Sequence, residues 1–312
     1  MSEPEILDIA VIGSGPAGFT AAIYAVRGGA TTALFGGMAP GGQLLQTMEI
    51  ENYPGFVAPV VGADLMQSML KQTERLGAKV FQDSVTSADF SARPFRLKSS
   101  GGKEYAARAV IIATGAQARW LGLPSEEKYK GKGVSGCATC DGFFFRGKDV
   151  AVIGGGDSAA EDALFLTKFA NKVYLVHRRD KLRANHRLVE KLKANPKVEL
   201  VYDQIPEEFS GEPKLAAVNL KNVKTGEKRA LAVSGAFIAI GHTPATELVK
   251  GKLKLTEDGY IAADDRTATS VPGVYAAGDV MDTRYKQAVV AAGAGCKAAL
   301  EALAFIEGCQ KA

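Results

Sequence analysis

The stretch Ile9-Ala10-Val11-Ile12-Gly13-Ser14-Gly15-Pro16-Ala17-Gly18 runs from four apolar residues directly into a glycine-rich turn. A short apolar run that ends in such a turn is typical of a buried strand of a parallel sheet, and the residues from Phe19 to Val26 predict a helix. The same order recurs 141 residues later, where Val150-Ala151-Val152-Ile153 enters Gly154-Gly155-Gly156-Asp157-Ser158-Ala159 and a helix through about Phe169. The sequence therefore predicts two strand, turn and helix units of an α/β fold, about one domain apart.

The glycine spacing of both turns is that of dinucleotide binding. The first glycine permits the tight turn, the second lets the backbone approach a pyrophosphate, and the third position, Gly18 or Ala159, allows the helix to pack closely on the strand. The N-terminus of the helix then binds the anion through unpaired N–H groups. One such turn is weak evidence, but two turns in the same strand and helix context favour two Rossmann-like domains.

The most distinctive chemistry is in Cys137-Ala138-Thr139-Cys140-Asp141, whose second cysteine precedes Gly154 by fourteen residues. Two thiols three residues apart can share one turn of backbone and close a small, reducible disulfide. A thiol in such a pair often has a lowered pKa, and Asp141 could move the proton of each exchange step. A zinc half-site and a structural crosslink are the alternatives. No second ligand pair at similar spacing supports zinc, so no metal is expected.

The residues after the second strand of each unit indicate which nucleotide binds. In the second unit Val173-Tyr174-Leu175-Val176 is followed by His177-Arg178-Arg179, with Arg183 four residues on. Arginines at this place favour a 2′-phosphate, hence NADPH over NADH, and a solvated basic loop is the alternative. In the first unit Thr32-Ala33-Leu34-Phe35 is followed by glycines and no acid. The adjacent Gly41-Gly42-Gln43 could contact a larger dinucleotide such as FAD.

Three further segments are consistent with two nucleotides. Val110-Ile111-Ile112-Ala113-Thr114-Gly115 and Ala239-Ile240-Gly241 each end a strand in small residues. Val274-Tyr275-Ala276-Ala277-Gly278-Asp279 is a strand closed by a glycine and an acid, and a helix from about Gln287 to Ile306 follows. The N-terminus of that helix could stabilise negative charge on a reduced flavin, with Asp279 bonded to ribityl or phosphate-side groups.

Composition sets the remaining bounds. The 312 residues are 46% hydrophobic and 23% charged, with a formal net charge of +4, which is ordinary for a globular protein of about two domains. No basic block indicates nucleic-acid binding, and no continuous apolar run approaches the length of about 18 residues that a membrane helix needs. The first eight residues carry three acids, unlike a signal peptide. Four cysteines with one close pair indicate a reducing compartment, and we expect the cytoplasm.

With these motifs the chain resembles the low-molecular-weight thioredoxin reductases of the bacterial and plant type over essentially its whole length. The Cys-Ala-Thr-Cys-Asp run is the most discriminating match. In related disulfide reductases of the glutathione reductase type the cysteine pair lies near the first nucleotide motif and a dimerisation domain follows. Further matches are Gly13–Gly18, Gly41-Gly42-Gln43-Leu44, Glu51-Asn52-Tyr53-Pro54-Gly55, Ala113–Ala116, Gly154–Ala159, His177–Arg179 with Arg183, Gly241-His242-Thr243-Pro244, and Ala277–Val280 through Gln287-Ala288.

The resemblance implies a homodimeric flavoenzyme that carries FAD, uses NADPH and reduces a separate thioredoxin chain. Cys137 would attack thioredoxin, Cys140 would face the flavin, and Asp141 would be the acid and base. The FAD-binding domain would comprise about 1–117 and 246–312, and the NADPH-binding domain, about 118–245, would be inserted into it and rotate as a unit.

Carried over position by position, the resemblance names two sets of binding residues. The NADPH set is Gly154, Gly156, Asp157, Ser158, His177, Arg178, Arg179, Arg183, Ile240 and Gly241. The FAD set is Gly13, Ser14, Gly15, Pro16, Ala17, Gly18, Gly41, Gly42, Gln43, Leu44, Asn52, Ala113, Thr114, Gly115, Gly278, Asp279, Lys286, Gln287 and Ala288.

The chain departs from the family pattern at three positions. Lys286 stands where arginine is frequent, and Asp157 and Ala245 stand where asparagine is frequent. Two other function classes stay open: a reductase or dithiol oxidase with a different electron donor or acceptor, and a non-catalytic redox sensor. His242 is read as a strand-end residue rather than a base. Cys296 is read as a small buried hydrophobe and Cys309 as an exposed thiol.

Overall fold

The computed structural model describes residues 6–47 and 49–310, so residues 1–5, on which the signal-peptide expectation depends, lie outside it, as do residues 311–312 of the expected first domain. The described chain forms two compact units. One is Ala118–His242, and the other combines the described residues on either side of it. Each unit contains a largely parallel sheet with helices, which confirms the expected α/β class with one nucleotide-binding-like unit inserted into another.

The first unit is built on a seven-stranded sheet. Its parallel part has the strand order β3-β2-β1-β6, and β17 continues it beside the last residues of β6. The antiparallel strands β5 and β4 extend the sheet from the first half of β6. The elements are β1 (Ile6–Ile12), α1 (Pro16–Arg27), β2 (Thr32–Phe35), α2 (Gly62–Arg75), β3 (Lys79–Phe81), β4 (Val85–Asp89), β5 (Phe95–Ser99), β6 (Glu104–Ile112), β17 (Val274–Ala276) and α7 (Ala288–Gln310).

The second unit has a five-stranded parallel sheet in the order β11-β10-β9-β15-β8 and a three-stranded antiparallel sheet, β12-β13-β14. Its elements are α3 (Pro124–Tyr129), β8 (Val134–Ser135), α4 (Ala138–Asp141), β9 (Asp149–Gly154), α5 (Asp157–Leu166), β10 (Lys172–Val176), α6 (His186–Ala194), β11 (Val198–Val201), β12 (Gln204–Ser210), β13 (Ala217–Asn222), β14 (Lys228–Ala232) and β15 (Gly235–Ala239). The two chain crossings, β7 (Ala116–Ala118) and β16 (His242–Pro244), pair as a two-stranded sheet.

The central strands are apolar on both faces because both faces of each parallel sheet are covered. In β1, Ile9 and Val11 lie in one core cluster, whereas Ala10 and Ile12 lie in the cluster on the opposite face. In β9 the same alternation separates Ala151 from Val152. These buried faces fix the register of the strands, so each glycine-rich turn lies at the carboxyl end of its sheet's central strand.

Several element boundaries differ from the sequence predictions. Helix α1 starts three residues earlier than predicted, at Pro16, whose fixed φ suits the first helical position. Helix α5 ends at Leu166 rather than near Phe169, because Phe169 N–H bonds the carbonyl three residues back and the last turn tightens. The predicted strand from Val274 to Asp279 stops at Ala276 and is followed by a 3₁₀ turn, Gly278–Val280.

Among the described helices, α7 is long and apolar enough to cross a membrane by length and composition alone, although charged residues interrupt its apolar run. Residues Ala288–Cys309 pass that test of length and composition with a mean hydropathy of 1.7. The core helix of a globular protein passes the same test, and Ala298, Ala299 and Ala302 are fully buried in the core of the first unit. Cys296 on this helix is only half-buried, whereas Cys309 is exposed as expected.

Candidate functional site

Cys137 and Cys140 form a disulfide in the second unit, with their Cα atoms 5.3 Å apart. Cys137 is the N-cap residue of the short helix α4. Its Sγ accepts a hydrogen bond from the backbone N–H of Cys140 at 3.2 Å and lies 3.3 Å from the hydroxyl oxygen of Thr139. In the disulfide form Cys140 is exposed and Cys137 is half-buried. The cysteine motif therefore forms the local turn that the sequence predicts.

Asp141 ends the same helix and is partly buried. Burial raises the pKa of its carboxyl group, and a hydrogen bond from Ser135 opposes that shift. Ser135 is 8% exposed and also accepts the backbone N–H of Cys137 at 3.0 Å. One hydroxyl group thus contacts both the carboxyl group and the backbone of the first cysteine. Within residues 6–47 and 49–310, no group of three or more His, Cys, Asp or Glu side chains could hold a metal ion.

Two aromatic side chains beside the disulfide were missed by the sequence analysis. Phe143 and Phe144 follow Asp141-Gly142 in a 3₁₀ turn and are 53% and 41% exposed. Phe143 packs edge-on against Phe169, with 6.0 Å between ring centroids, and the guanidinium carbon of Arg146 lies over the Phe143 ring at 5.1 Å from its centroid. Exposed aromatic pairs are frequent in protein interfaces. The run Gly142-Phe143-Phe144-Phe145 directly after a redox motif was the available signal.

The first glycine turn has the shape that a dinucleotide requires. Gly13 has φ +111°, and a Cβ atom there would overlap the carbonyl of Ala113. A Cβ at Gly18 would overlap the carbonyl of Gly13, so the helix lies directly on the turn. By contrast, the Cβ position of Gly15 faces open space, and no side chain caps the helix that starts at Pro16. Uncapped backbone N–H groups at the start of this helix, beside a glycine whose Cβ position is unobstructed, are suited to bind a pyrophosphate.

The other predicted FAD residues of the first unit gather around this turn. Ser14 Oγ donates to the carbonyl of Gly36 at 2.8 Å and accepts the N–H of Gly41 at 3.1 Å. This places Gly42 beside Gly15, with the Cβ position of Gly42 at 3.2 Å from Gly15 Cα. Gln43 and Leu44 continue in the 3₁₀ helix Gly42–Gln46. Thr114, whose Oγ1 donates to the Ala245 carbonyl at 2.7 Å, and Gly115 follow Ala113.

The predicted FAD residues that follow β17 include one that contacts the start of α1, beside the same turn. Gly278 has φ +77°, and a Cβ atom there would lie 2.9 Å from Ala17 Cβ. Burial raises the pKa of Asp279 to about 6, and Asp282 adds to the shift whereas Lys286 opposes it. Asn52 Nδ2 donates to Gln287 Oε1 at 3.2 Å, so the segment after residue 50 meets the start of α7, whose first residue is Ala288.

Lys286, a predicted FAD residue, makes contacts through both its backbone and its side chain. Its φ is +47°, its backbone N–H approaches Asp282 Oδ2 at 3.3 Å, and its Nζ donates to the carbonyl of Thr283 at 2.6 Å. The Nζ also lies 5.4 Å from the centre of the Tyr260 ring. Burial lowers the pKa of this ammonium group.

The second glycine turn repeats the arrangement. A Cβ atom at Gly154 would overlap the carbonyl of Ala239, which brings the turn to the end of β15, where Ile240 and Gly241 follow. The Cβ position of Gly156 faces open space, and no side chain caps α5, whose second residue is Ser158. This turn also fits a pyrophosphate.

The predicted basic cluster follows β10, and its residues have different surroundings. His177 is 6% exposed, and its ring fills the space in which a Gly155 side chain would lie. Burial lowers the pKa of His177, which favours the neutral ring. Arg178, Arg179 and Arg183 are exposed. The resemblance names all four residues as NADPH-binding, with the arginines alone expected to favour a 2′-phosphate, and the structure places His177 beneath the turn and the three arginines at the surface.

His242 is the first residue of β16 and is half-buried, as a strand-end residue is expected to be.

Comparison with known proteins gives a consistent assignment. Residues 7–295 match the pyridine nucleotide-disulphide oxidoreductase family. The chain is 48% identical to a thioredoxin reductase of Streptomyces coelicolor over 97% of this chain and 94% of that protein. It is 49% identical to a thioredoxin reductase of Rickettsia conorii over 96% and 97% of the two chains.

Among solved structures, a thioredoxin reductase from Giardia duodenalis superposes with a TM-score of 0.94 at 43% identity, over 97% of this chain and 99% of that one. The structure agrees with these matches, because it contains two glycine turns suited to dinucleotides and a disulfide, Cys137–Cys140, in the unit that holds the second turn. The chain therefore belongs to the pyridine nucleotide-disulphide oxidoreductases and, among them, to the low-molecular-weight thioredoxin reductase family.

Proposed function

We propose that this protein is an NADPH-dependent thioredoxin-disulfide reductase. The observation that carries the proposal is the disulfide Cys137–Cys140, held at the start of α4, which packs against α5, the helix that follows the second glycine turn. When bound, FAD supplies a carrier that accepts a hydride from NADPH and delivers an electron pair to this disulfide.

The first unit is proposed to bind FAD and the second NADPH, which keeps the sequence-based domains of about 1–117 with 246–312 and 118–245. Open space at Gly15 and at Gly156 supports one pyrophosphate at each helix start. Asn52, Asp279 and Gln287 would contact the ribityl and phosphate side of FAD, with the remaining FAD residues named above lining the turn. Arg178, Arg179 and Arg183 would bind the 2′-phosphate of NADPH because three exposed guanidinium groups match a phosphate dianion.

In the reduced enzyme Cys137 attacks a sulfur of the thioredoxin disulfide. A bond forms between the two proteins, and one thioredoxin sulfur leaves as a thiolate that Asp141 protonates. Cys140 then gives its proton to Asp141 and attacks Cys137 Sγ as a thiolate, which re-forms the enzyme disulfide and releases the second thioredoxin sulfur as a thiolate that Asp141 protonates in turn. Cys137 suits the first step because the N–H of Cys140 and the hydroxyl of Thr139 would stabilise its thiolate.

Thioredoxin is proposed to dock on Phe143 and Phe144. Both rings are exposed within four residues of Cys140, and basic groups flank them, with Arg146 over Phe143. An aromatic surface with a charged rim is typical of a transient protein interface. The pair is thus suited to hold a partner disulfide next to the enzyme thiols.

The homodimer is proposed to form through the outer face of α1 and α7. Tyr24, Val289, Val290 and Leu300 are exposed apolar side chains there, and Leu300 is 52% exposed. Exposed apolar side chains grouped on one face are typical of a surface that another protein chain buries. The cytoplasm remains the proposed location, since a dithiol that must be reduced to act suits a reducing compartment.

An anaerobic titration of the purified protein with NADPH tests the function. We expect the oxidised flavin absorbance to bleach with consumption of more than one equivalent per flavin, and oxidised thioredoxin to restore it. A protein that holds no flavin, or a flavin that NADPH does not bleach, would contradict the proposal and favour another donor or a sensor. Thiol-dependent oxygen uptake without pyridine nucleotide would identify an oxidase.

A further inference from the structure

Asp157, which the sequence predicts to be a nucleotide-binding residue, contacts the loop that carries the arginines. Its Oδ1 accepts the backbone N–H of Asn185 at 2.7 Å. Asn185 is the N-cap of α6, and its own Oδ1 accepts the N–H of Leu188 at 3.1 Å. The carboxylate at the start of α5 is thereby connected to the start of α6.

The same loop is attached to the glycine turn at a second point. The carbonyl of Gly155 accepts the N–H of Arg183 at 2.7 Å and that of Ala184 at 3.1 Å. Beneath it, the His177 ring occupies the space beside Gly155. The loop from 177 to 185 lies between β10 and α6 and contains no helix or strand of its own. Its conformation therefore depends on these attachments, on the N–H of Asp203 that bonds the Arg179 carbonyl at 3.2 Å, and on the ion pair of Asp180 with Lys224.

The chemistry of the ligand makes a direct role for Asp157 unfavourable. A carboxylate beside a pyrophosphate or a 2′-phosphate repels it, whereas the N–H of Asn185 stabilises that carboxylate with a charge-assisted hydrogen bond. Exposed arginine side chains lose rotamer freedom when they bind a phosphate, so a fixed backbone beneath them reduces the cost of binding.

We infer that Asp157 is a positioning residue for nucleotide specificity: it fixes the Arg178–Arg183 loop against the second glycine turn and so sets the preference for a 2′-phosphate. The inference depends on the proposed use of NADPH. It concerns a residue that would not touch the 2′-phosphate itself.

The test compares 2′,5′-ADP with 5′-AMP by isothermal titration calorimetry on the FAD-containing protein. The ratio of the two affinities isolates the 2′-phosphate, because both ligands share the rest of the nucleotide. We expect Asp157→Ala to lower this ratio about tenfold, the size of one hydrogen bond. Asp157→Asn keeps an accepting oxygen and should leave the ratio within about twofold of the starting protein.

A second pair of variants leaves Asp157 in place. Asn185→Ala and Asn185→Pro both remove the side-chain cap of α6, but only proline removes the N–H that Asp157 accepts. The φ of Asn185 is −60°, which proline adopts without strain. We expect a ratio about tenfold lower for Asn185→Pro than for Asn185→Ala. This pair decides the question if Asp157→Ala does not fold.

The outcomes separate the two proposals. Equal affinity of the starting protein for 2′,5′-ADP and 5′-AMP would contradict the proposed use of NADPH. A strong preference for 2′,5′-ADP that survives in Asp157→Ala, or that is equal in the two Asn185 variants, would overturn the positioning role and leave the proposed function standing. An Asp157→Asn ratio as low as that of Asp157→Ala would show that the charge and not the hydrogen bond matters, which also overturns it.

Discussion

The backbone N–H of Cys140 points at the Sγ of Cys137, with 3.2 Å between nitrogen and sulfur. The two cysteines are therefore unequal although they share one disulfide. A thiolate on Cys137 would keep this donor and the nearby Thr139 hydroxyl, which is 3.3 Å away. Stabilisation of one thiolate over the other gives the pair a direction, with Cys137 as the attacking group.

Substitution of either cysteine tests that direction. We expect Cys140→Ser to retain bound FAD and flavin reduction by NADPH but to lose thioredoxin turnover, because the exchange cycle needs both sulfurs. Cys140→Ser should also accumulate a mixed disulfide with oxidised thioredoxin, detected by mass spectrometry, whereas the matched Cys137→Ser should not. Retained turnover in Cys140→Ser, or a mixed disulfide formed only by Cys137→Ser, would contradict the assigned roles.

Asp141 should act in the protonated form when it donates to the leaving thiolate. Because burial raises its pKa, that form persists to higher pH than in a free carboxyl group, and thioredoxin turnover should fall as pH rises through this pKa. Asp141→Asn should lower kcat by about a hundredfold and remove this limb of the pH profile. The measurement is kcat against pH for both proteins; an unchanged profile in Asp141→Asn would mean that another group supplies the proton.

Truncation of the exposed aromatic pair should weaken partner binding alone. Phe143→Ala and Phe144→Ala are each expected to raise the KM for thioredoxin by about tenfold, as for a central interface aromatic. Val223→Ala is a matched control, since Val223 is also exposed but lies after β13 of the antiparallel sheet. NADPH-driven bleaching of the flavin should be unchanged in all three. An equal effect of Val223→Ala on KM would argue against a local docking surface.

The two open glycines provide a test of which unit binds which nucleotide. A Cβ atom at Gly15 or Gly156 meets nothing in the protein, so each alanine variant should fold and obstruct only its pyrophosphate. We expect Gly15→Ala to lower the FAD content of the purified protein, and Gly156→Ala to retain FAD while binding NADPH more weakly. Absorbance and calorimetry measure the two quantities. Loss of FAD in Gly156→Ala instead would reverse the assignment.

Asp162 on α5 should destabilise the protein near neutral pH. Burial, with Glu161 as a smaller cause, raises the pKa of Asp162 to about 6 from an ordinary 3.8. Between pH 3.8 and about pH 6 the folded state therefore binds more protons than the unfolded state, and the free energy of unfolding falls as pH rises across that window. Asp162→Asn should raise the melting temperature by about 5 °C at pH 8 and by about half as much at pH 5. Calorimetry at both pH values checks this, and a larger gain at pH 5 would give the wrong sign.

Local features of the sequence determined the elements and the kind of chemistry. The apolar runs at Ile9–Ile12 and Val150–Ile153, each followed by a glycine turn, predicted β1, β9 and the helices after them because strand burial and turn geometry depend on neighbouring residues. The spacing of Cys137 and Cys140 likewise predicted a local pair, because three residues span one turn.

What depends on distant residues was decided only by the tertiary structure. The resemblance named His177 and Asp157 as nucleotide-binding residues, which stays a prediction. Their partners within the protein follow only from folding, which packs His177 beneath Gly155 and joins Asp157 to Asn185, 28 residues away. The sequence analysis made no prediction for Phe143 and Phe144, and only the packed structure shows that both rings are exposed close to the disulfide in the chain. The burial of a side chain and its hydrogen-bond partners depend on the whole sheet and the helices that cover it. A motif gives the residue types, but their roles follow only when strands that are far apart in the chain are paired.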